Sequence, residues 1–212
     1  MIYEYWLAGI KEITDLKKQK LREVYGSGKA IYYIEETKLD KLRFLNEKDV
    51  AILKNAKKDT KLEEKWRRTE EKRIQFIPYF LKTYPEKLKY ITDPPYALYV
   101  LGQLPDEKRK SAAIVGARNC TAYGEQMALQ YGKSSWAKES GVTYAVLGCG
   151  VDVCYPRENI GLYMDIQEKG GIVSEFSPGT QPYAWNFPRR NRIISALADW
   201  ILIMEAKERS GS

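Results

Sequence analysis

The chain has 212 residues, with 35 Lys and Arg against 28 Asp and Glu, a net charge of +7 and no histidine. Without histidine, catalytic triads with an imidazole base and histidine metal sites are excluded. No apolar run reaches the roughly 18 residues that a membrane-spanning helix needs. The first residues lack the basic start and apolar core of a signal peptide. We therefore expect a soluble, cytoplasmic protein without a metal or a cofactor.

The positive charge is confined to the first part of the chain. Residues 1–90 contain 22 basic and 15 acidic side chains, whereas residues 91–212 contain 13 of each. A basic segment suits nucleic acid, but solvated lysine-rich helices give the same count. The three cysteines form no framework spacing, so we expect no disulfide.

Residues 1–83 are predicted to form a small helical module. The predicted helices are Tyr3–Ile10, Leu16–Tyr25, Lys41–Ala56 and Leu62–Tyr84. Packing and interaction with partners is the favoured role. Contact with DNA is the alternative, because Trp66 beside Arg67 and Arg68 could stack on a base, although one aromatic on a helical face is more often core.

Residues 84–212 alternate between apolar strands and helices. The predicted strands are Tyr96–Leu101, Ser111–Val115, Thr143–Leu147, Gly171–Phe176 and Trp200–Met204. The predicted helices are Thr121–Ser140, Arg157–Gly170 and Phe187–Leu197. Strands that are apolar on both faces and alternate with helices indicate right-handed βαβ units. We predict an α/β fold with a Rossmann-like, mostly parallel sheet, preceded by the helical module.

Three loops of anion-binding type are expected at the carboxyl ends of these strands, where open α/β sheets bind ligands. They are Gly116-Ala117-Arg118, Gly148-Cys149-Gly150 and Phe187–Arg192. Glycines there allow backbone N–H groups to approach an anion, although a glycine pair after a strand is mostly turn geometry. Together the loops predict a phosphate pocket, and its cations would be Arg118, Arg190 and Arg192.

The predicted helix at Phe187–Leu197 carries an unfavourable charge at its start. Pro188 suits the first helical position, but Arg189, Arg190 and Arg192 follow in the first turn. Cations there oppose the helix dipole, and a bound phosphate would cancel the cost. Pairing with carboxylates or extension into water is the alternative.

No catalytic constellation accompanies this pocket. The G-x-G-x-x-G fingerprint fails because Val153 stands at its sixth place, and no Walker lysine motif occurs. Glu175 is more consistent with orienting an arginine than with acid–base work, since no partnered base is present. We interpret the site as a binding site and not an enzyme's active site.

Several motifs of this chain closely resemble the DNA-processing protein A family (DprA/Smf). They are Val115-Gly116-Ala117-Arg118, Ala145–Gly150 with Tyr155-Pro156, Ser174-Glu175-Phe176, Phe187–Ile194 and Glu205-Ala206. Tyr84-Pro85, Pro94-Pro95 and Gly102 resemble the lead into that family's extended Rossmann domain. Residues 1–83 resemble its N-terminal helical (SAM or helix-hairpin-like) module, which places the domain boundary at 83/84.

The resemblance implies a protein of natural transformation and homologous recombination. Such a protein binds single-stranded DNA without sequence preference and helps to load the RecA-type recombinase, usually as a homodimer. The family's phosphate pocket would carry over to a set of eight residues: Gly116, Arg118, Gly148, Gly150, Arg189 (at a variable position), Arg190, Asn191 and Arg192. No catalytic activity is implied.

The sequence departs from the family at two places. Ser140-Gly141-Val142 runs directly into Thr143, so about one βα unit is missing, and the family begins a further helix beyond Ser212. Because losing a central strand exposes ladder edges, we favour omitted residues over a true deletion.

Two other functions remain open. A related Rossmann-type enzyme could cleave nucleoside monophosphates, with Glu175 or Glu205 beside the sugar bond. A pure interaction module would hold no anion in the pocket.

Overall fold

The computed structural model describes residues 1–116, 121–123, 126, 127, 130 and 141–206. The chain folds into two compact units. The first unit comprises Met1–Tyr84 and Thr92–Leu98, and the second comprises Pro85–Ile91 and Tyr99–Ser212. Among the described residues, no helix combines the length and the apolar character required to cross a membrane.

The first unit is mainly helical, and most of the helices that the sequence predicts are present. Its helices are α1 Ile2–Gly9, α2 Asp15–Tyr25, α3 Gly28–Tyr33, α4 Glu36–Leu39, α5 Glu47–Ala56 and α6 Leu62–Glu71. Their apolar faces meet in a core whose fully buried members include Leu7, Ile13, Leu21, Ile31, Leu39 and Leu53. Burial of such side chains contributes about 1.5–3 kcal/mol each.

Side-chain caps set where these helices begin. The helix predicted over Lys41–Ala56 begins only at Glu47, because Asn46 forms a capping box with Asp49. The Asn46 side chain accepts from the Asp49 N–H at 2.8 Å, and the Asp49 carboxylate accepts from the Asn46 N–H at 2.9 Å. This reciprocal bonding satisfies two helix-terminal donors and excludes residues 41–46 from the helix.

The helix predicted over Leu62–Tyr84 is wrong in its second half. Helix α6 ends at Glu71, and Gln75–Pro78 form strand β1. Arg73 takes the left-handed conformation with φ 55°, which no α-helix continues. Trp66 lies against Tyr5 and Phe76 with ring centroids 5.3 and 6.0 Å away, so it packs within this unit.

A buried carboxylate joins distant segments of the first unit. Glu4 is 7% exposed and accepts from Arg22 Nε at 3.2 Å, from the Gly28 N–H at 2.9 Å and from the Tyr96 hydroxyl. Burial, followed by the charge of Glu4, raises the pKa of Tyr96 far above its usual range. The cluster is satisfied by protein groups, so its role is structural.

The second unit contains the remaining elements. They are α7 Glu86–Lys89, most of β2 Ala97–Gly102, β3 Ala112–Val115, β4 Tyr144–Val146, a 3-10 turn Arg157–Asn159, α8 Ile160–Lys169, β5 Gly171–Ser174, α9 Asn186–Leu197 and β6 Trp200–Ile203. The α/β class with a helical N-terminal portion is therefore confirmed. The helix predicted over Thr121–Ser140 falls mostly outside the described residues.

The described strands form two sheets, of which the four-stranded one, in the order β1-β2-β5-β4, is mixed in direction. Strand β5 pairs with β4 in parallel and with β2 antiparallel, so the sheet is less uniformly parallel than predicted. Strand β3 pairs in parallel with β6 in a separate two-stranded sheet. The strands on either side of the predicted loss, β3 and β4, thus lie in different sheets of the described structure. The junction itself includes Ser140, which is outside the described residues.

An acidic side chain stabilises the start of the paired strands β3 and β6 through hydrogen bonds. The Asp199 carboxylate accepts from the Ser111 N–H at 2.8 Å and from Lys87 Nζ at 3.0 Å. These bonds, the backbone one first, lower the pKa of Asp199 from 3.8 to about 2. Since the folded pKa is depressed, the stabilisation is complete above the unfolded pKa and is lost as pH falls toward 2.

We expect Asp199→Asn to lower the melting temperature at pH 6 and to have progressively less effect as the pH falls from 4 to 2. Asp165→Asn on α8 is the matched control, because that carboxylate is 59% exposed. Melting followed by circular dichroism measures both variants. A difference between wild type and Asp199→Asn that persists unchanged to pH 2 would contradict this assignment.

Candidate phosphate-binding site

The first turn of helix α9 carries no acidic side chain and no side-chain cap of its own. The N-cap residue, Trp185, makes no side-chain capping bond. Pro188 has no N–H to satisfy, whereas Arg189 and Arg190 follow directly. The helix begins at Asn186, so Pro188 is its third residue and not its first as predicted, and Arg189 and Arg190 are its fourth and fifth residues and not among its first three as predicted. Both arginines still lie within about a turn and a half of the positive end of the helix dipole, which favours an anion there.

The start of α9 is fastened to the carboxyl end of β4. Asn186 is 5% exposed and donates from Nδ2 to the Gly148 carbonyl at 2.9 Å. The Arg190 guanidinium donates to the carbonyl of Val146, the last residue of β4 before the glycine turn. Ser174, the last residue of β5, donates from Oγ to the Cys149 carbonyl at 2.7 Å. These bonds fix the helix start on the strand ends, where the sequence predicts the site.

Glu175 holds two of the three arginines. Arg192 makes a bidentate pair with it at 2.6 and 2.7 Å, and Arg189 Nη2 lies 3.2 Å from Oε2. The Glu175 side chain is 3% exposed, against 20% for Arg192 and 43% for Arg189. The expectation that Glu175 orients an arginine is confirmed. One carboxylate facing two guanidinium groups leaves this group of side chains net positive.

We call residues 189–192 of α9 the arginine turn. Arg190 and Asn191 are its two middle residues. Arg190 donates from Nε to the Asn191 side-chain oxygen at 3.1 Å, and its guanidinium lies 5.8 Å from the Phe187 ring centroid. The Phe187 ring in turn lies 5.9 Å from that of Tyr155. Arg190 is thereby held between a backbone carbonyl, an amide and a ring, which limits its rotamers.

The two glycines after β4 allow tight packing. An added Cβ on Gly148 would lie 2.9 Å from the Phe187 ring. An added Cβ on Gly150 would lie 2.8 Å from the Gly179 nitrogen, and the Gly150 N–H donates to the Thr180 carbonyl at 2.9 Å. The sequence predicts N–H groups that approach an anion here; the Gly150 N–H instead joins two loops. Gly150 therefore contributes to the site by fixing the position of the loop that follows β4.

The predicted Gly116-Ala117-Arg118 turn is only partly described. Gly116 follows β3, and a Cβ there would make ordinary contacts with Glu205 and Met204 at 3.6 to 3.7 Å. Arg118 lies outside the described residues, so its approach to the arginines of α9 stays a prediction. The Glu205 carboxylate accepts from the Thr121 N–H and Oγ1, each at 2.8 Å.

The described residues show no cluster of ligating side chains suited to a metal ion. Cys149 is 2% exposed, and burial raises the pKa of its thiol to about 11. A thiol with such a pKa is protonated at neutral pH and is a poor nucleophile. The arrangement suits electrostatic and hydrogen-bonded capture of an anion.

Sequence reasoning missed Asn186 and the aromatic pair before it. Tyr183 and Trp185 precede α9, and Asn186 bridges to Gly148. The available signal was two aromatic side chains that follow Pro182 closely, a few residues before the arginines.

The ion pairs of Glu175 with Arg189 and Arg192 should stabilise the folded protein. We expect Glu175→Gln to lower the free energy of unfolding by about 2 kcal/mol, because the two guanidinium groups then face each other across a neutral amide. Glu158→Gln, at an exposed position, is the control. Urea unfolding measures both, and equal midpoints for the two variants would contradict the assigned role of Glu175.

The fold and site define an α/β protein in which the start of an arginine-bearing helix is bonded to the end of a strand. The sequence model of the family "DNA recombination-mediator protein A" matches residues 75–138 and 130–212. The chain therefore belongs to this family, as the motif resemblance indicates. The two matched segments overlap at residues 130–138, shortly before the junction at which the sequence predicts the loss of a βα unit.

Individual relatives support the same assignment. The DNA processing protein DprA of Bacillus subtilis is 36% identical over 165 residues, which cover 67% of this chain and 56% of that protein. The crystal structure of DprA from Streptococcus pneumoniae matches with TM-score 0.77 and 26% identity over 100% of this chain and 80% of that one. The chain spans about half the length of the curated relatives it matches.

A second solved structure is described for its DNA binding. DNA processing protein A from Helicobacter pylori, reported with a unique single-stranded DNA binding mode, matches with TM-score 0.55 and 26% identity. The match covers 66% of this chain and 74% of that protein. The α/β fold and family membership are thus shared with proteins of DNA processing.

Proposed function

We propose that this protein binds single-stranded DNA without sequence preference through the arginine turn of α9 and helps to load a RecA-type recombinase during DNA uptake. The observation that carries the proposal is the group of Arg189, Arg190 and Arg192 at an uncapped helix start, with Glu175 as their paired carboxylate. Guanidinium groups donate two parallel hydrogen bonds to phosphate, which suits a sugar–phosphate backbone.

The proposal extends to the other parts of the molecule. Residues 1–83 would form the helical module and residues 84–212 the DNA-binding domain, working as a homodimer in the cytoplasm. The phosphate contacts would come from the eight residues predicted from the family motifs, with Gly148 and Gly150 acting through loop position. The relatives named for DNA processing and single-stranded DNA binding support this proposal.

The rival enzyme finds less support in the site. Glu175 is nearly fully buried between two arginines, and the Glu205 carboxylate accepts two hydrogen bonds from Thr121. A carboxylate that acts on a sugar bond must reach the substrate, and both of these are held by protein groups. We propose that the protein is not an enzyme.

Competition between DNA forms tests the proposal. Fluorescence anisotropy with labelled oligo(dT), a mixed-sequence single strand and a duplex of equal length should give similar affinity for the two single strands and weaker binding of the duplex. Equal or tighter duplex binding would contradict it. Release of free base from nucleoside monophosphates, followed by chromatography, would establish the enzyme instead.

Recombinase loading needs its own assay. We expect the protein to raise the ATPase rate of a RecA-type recombinase on single strands coated with single-strand-binding protein. An unchanged rate, with DNA binding intact, would remove the loading role and leave the DNA-binding role standing.

A further inference from the structure

Two aromatic rings are displayed together immediately before the arginine turn. Tyr183 and Trp185 stack with ring centroids 4.8 Å apart and an interplanar angle of 3°. Tyr183 is 44% exposed and Trp185 is 70% exposed. In a parallel stack each ring covers one face of the other, so the exposed area of Trp185 includes its outer face. We call these two rings the aromatic platform.

The loop that carries the platform is anchored at both ends. Thr180 is 6% exposed, accepts from the Gly150 N–H through its carbonyl and donates from its own N–H to the Ser177 carbonyl at 3.1 Å. At the other end Asn186 is 5% exposed and donates to the Tyr183 and Gly148 carbonyls. The rings are therefore presented outward from a fixed base, and binding to them requires little ordering of the loop.

The residues next to the platform indicate which kind of ligand could bind to it. Trp185 is the N-cap of α9, and Arg189 follows one helical turn later, so an apolar flat surface and a cationic group occur within five residues. A nucleic-acid strand presents the same combination, since each flat base is attached to an anionic phosphate. Aromatic side chains next to a positively charged groove are the usual elements of single-strand binding.

We propose that Tyr183 and Trp185 form a base-stacking subsite, with one unpaired base of a single strand resting on the outer face of Trp185. The inference rests on the proposed single-strand binding by the arginine turn and adds a contact to the bases themselves. Stacking tolerates any base, because every base has a π-face, so the subsite agrees with binding that lacks sequence preference. Duplex DNA cannot use it, because its bases are already stacked.

The test compares two oligomers that differ only in their bases. Oligo(dT) and an abasic oligomer of equal length carry the same phosphates, so the ratio of their dissociation constants isolates contacts to bases. For wild type we expect oligo(dT) to bind more tightly by about 5- to 100-fold, from the range of base–aromatic stacking energies. The double variant Tyr183→Ala/Trp185→Ala should lower this ratio substantially while the salt slope stays as in wild type.

Controls keep folding and stacking apart. Tyr90→Ala removes another aromatic of the second unit, 80% exposed, and should leave the ratio unchanged. The single variant Trp185→Phe keeps a stacking ring beside Tyr183 and should therefore keep most of the wild-type ratio. In the wild-type protein, 5-iododeoxyuridine in the oligomer should photocross-link to the peptide that contains Tyr183 and Trp185.

The outcomes separate this inference from the proposed function. If wild type binds neither oligomer, single-strand binding fails and the platform fails with it. If wild type binds both oligomers equally, or the double variant keeps the wild-type ratio, the stacking subsite is overturned while binding through phosphates stands. A cross-link confined to other peptides also overturns it.

Discussion

Replacing Arg189 and Arg190 together with alanine is expected to weaken oligo(dT) binding by at least about 100-fold, since each of the two lost hydrogen bonds to a charged group contributes about 1.5–3 kcal/mol. The slope of log K against log salt should also become shallower by about 1.4, from 0.7 for each lost phosphate contact. The physical reason is that these two guanidinium groups lie at the uncapped start of α9, where an anion is most favoured.

The matched control removes the same charge elsewhere in the second unit. Arg109 and Arg157 are both exposed, and their double alanine variant should bind nearly as wild type. Because Arg190 also bonds the Val146 carbonyl, melting curves of both variants must accompany the titrations. An Arg189/Arg190 variant that melts normally and binds with wild-type affinity and slope would remove these residues from the site.

Gly171→Ala is expected to unfold the second unit or to prevent its folding. An added Cβ on Gly171 would lie 1.8 Å from the Gln103 carbonyl oxygen, a backbone atom that cannot move away without breaking the β2–β5 ladder. Overpacking against side chains typically costs about 1–3 kcal/mol, and a clash with backbone at this distance exceeds that range. Since β5 leads directly into Glu175, the site is lost with the strand.

Gly161→Ala is the paired control for this substitution. Gly161 lies within α8, and a Cβ there would meet nothing within 4 Å. Gly161 is the second residue of α8, where the preference for alanine is weaker than the about 0.8–1.0 kcal/mol of a helix interior, so this variant should be at least as stable as wild type. Circular dichroism and soluble yield distinguish the two variants. A Gly171→Ala protein with wild-type melting would contradict the described β2–β5 packing.

The elements that carry the site could be predicted because their local signals agree. Pro188 at a helix start, with Ile193, Ile194 and Leu197 on one face, predicts a helix over Phe187–Leu197, and the structure has Asn186–Leu197. Strand β5 begins at the second glycine of a glycine pair, has Ile172 and Val173 at its centre and is buried throughout. Period, breaker residues and burial point to the same assignment in both cases.

Strand β1 could not be predicted in the same way. Ile74, Ile77 and Phe80 fit a helical spacing as well as a strand, and short apolar runs do not distinguish the two. The helix ends because Arg73 adopts the left-handed backbone conformation. This conformation could not be predicted, because no glycine or asparagine stands at that position. Tertiary packing of Phe76 and Ile77 into the core then overrides the helical pattern.

The ion pairs and hydrogen bonds within the site depend on contacts between segments that lie far apart in the chain. The pairing of Glu175 with Arg192 and the bond from Asn186 to Gly148 are set by where β4, β5 and α9 come together. Sequence spacing carries no information on such distances. The sequence also cannot show that the Gly150 N–H is bonded to Thr180 and serves loop packing.

The salt dependence of oligo(dT) binding by the wild-type chain shows whether the arginines of α9 hold a sugar–phosphate backbone, because its slope counts the phosphates that they neutralise. The three arginines of α9 alone would give a slope of log K against log salt of about −2, from 0.7 for each phosphate contact on a single strand, and Arg118 would make the slope steeper. A slope near zero, or no measurable binding at low salt, would show that the guanidinium groups of α9 hold no sugar–phosphate backbone.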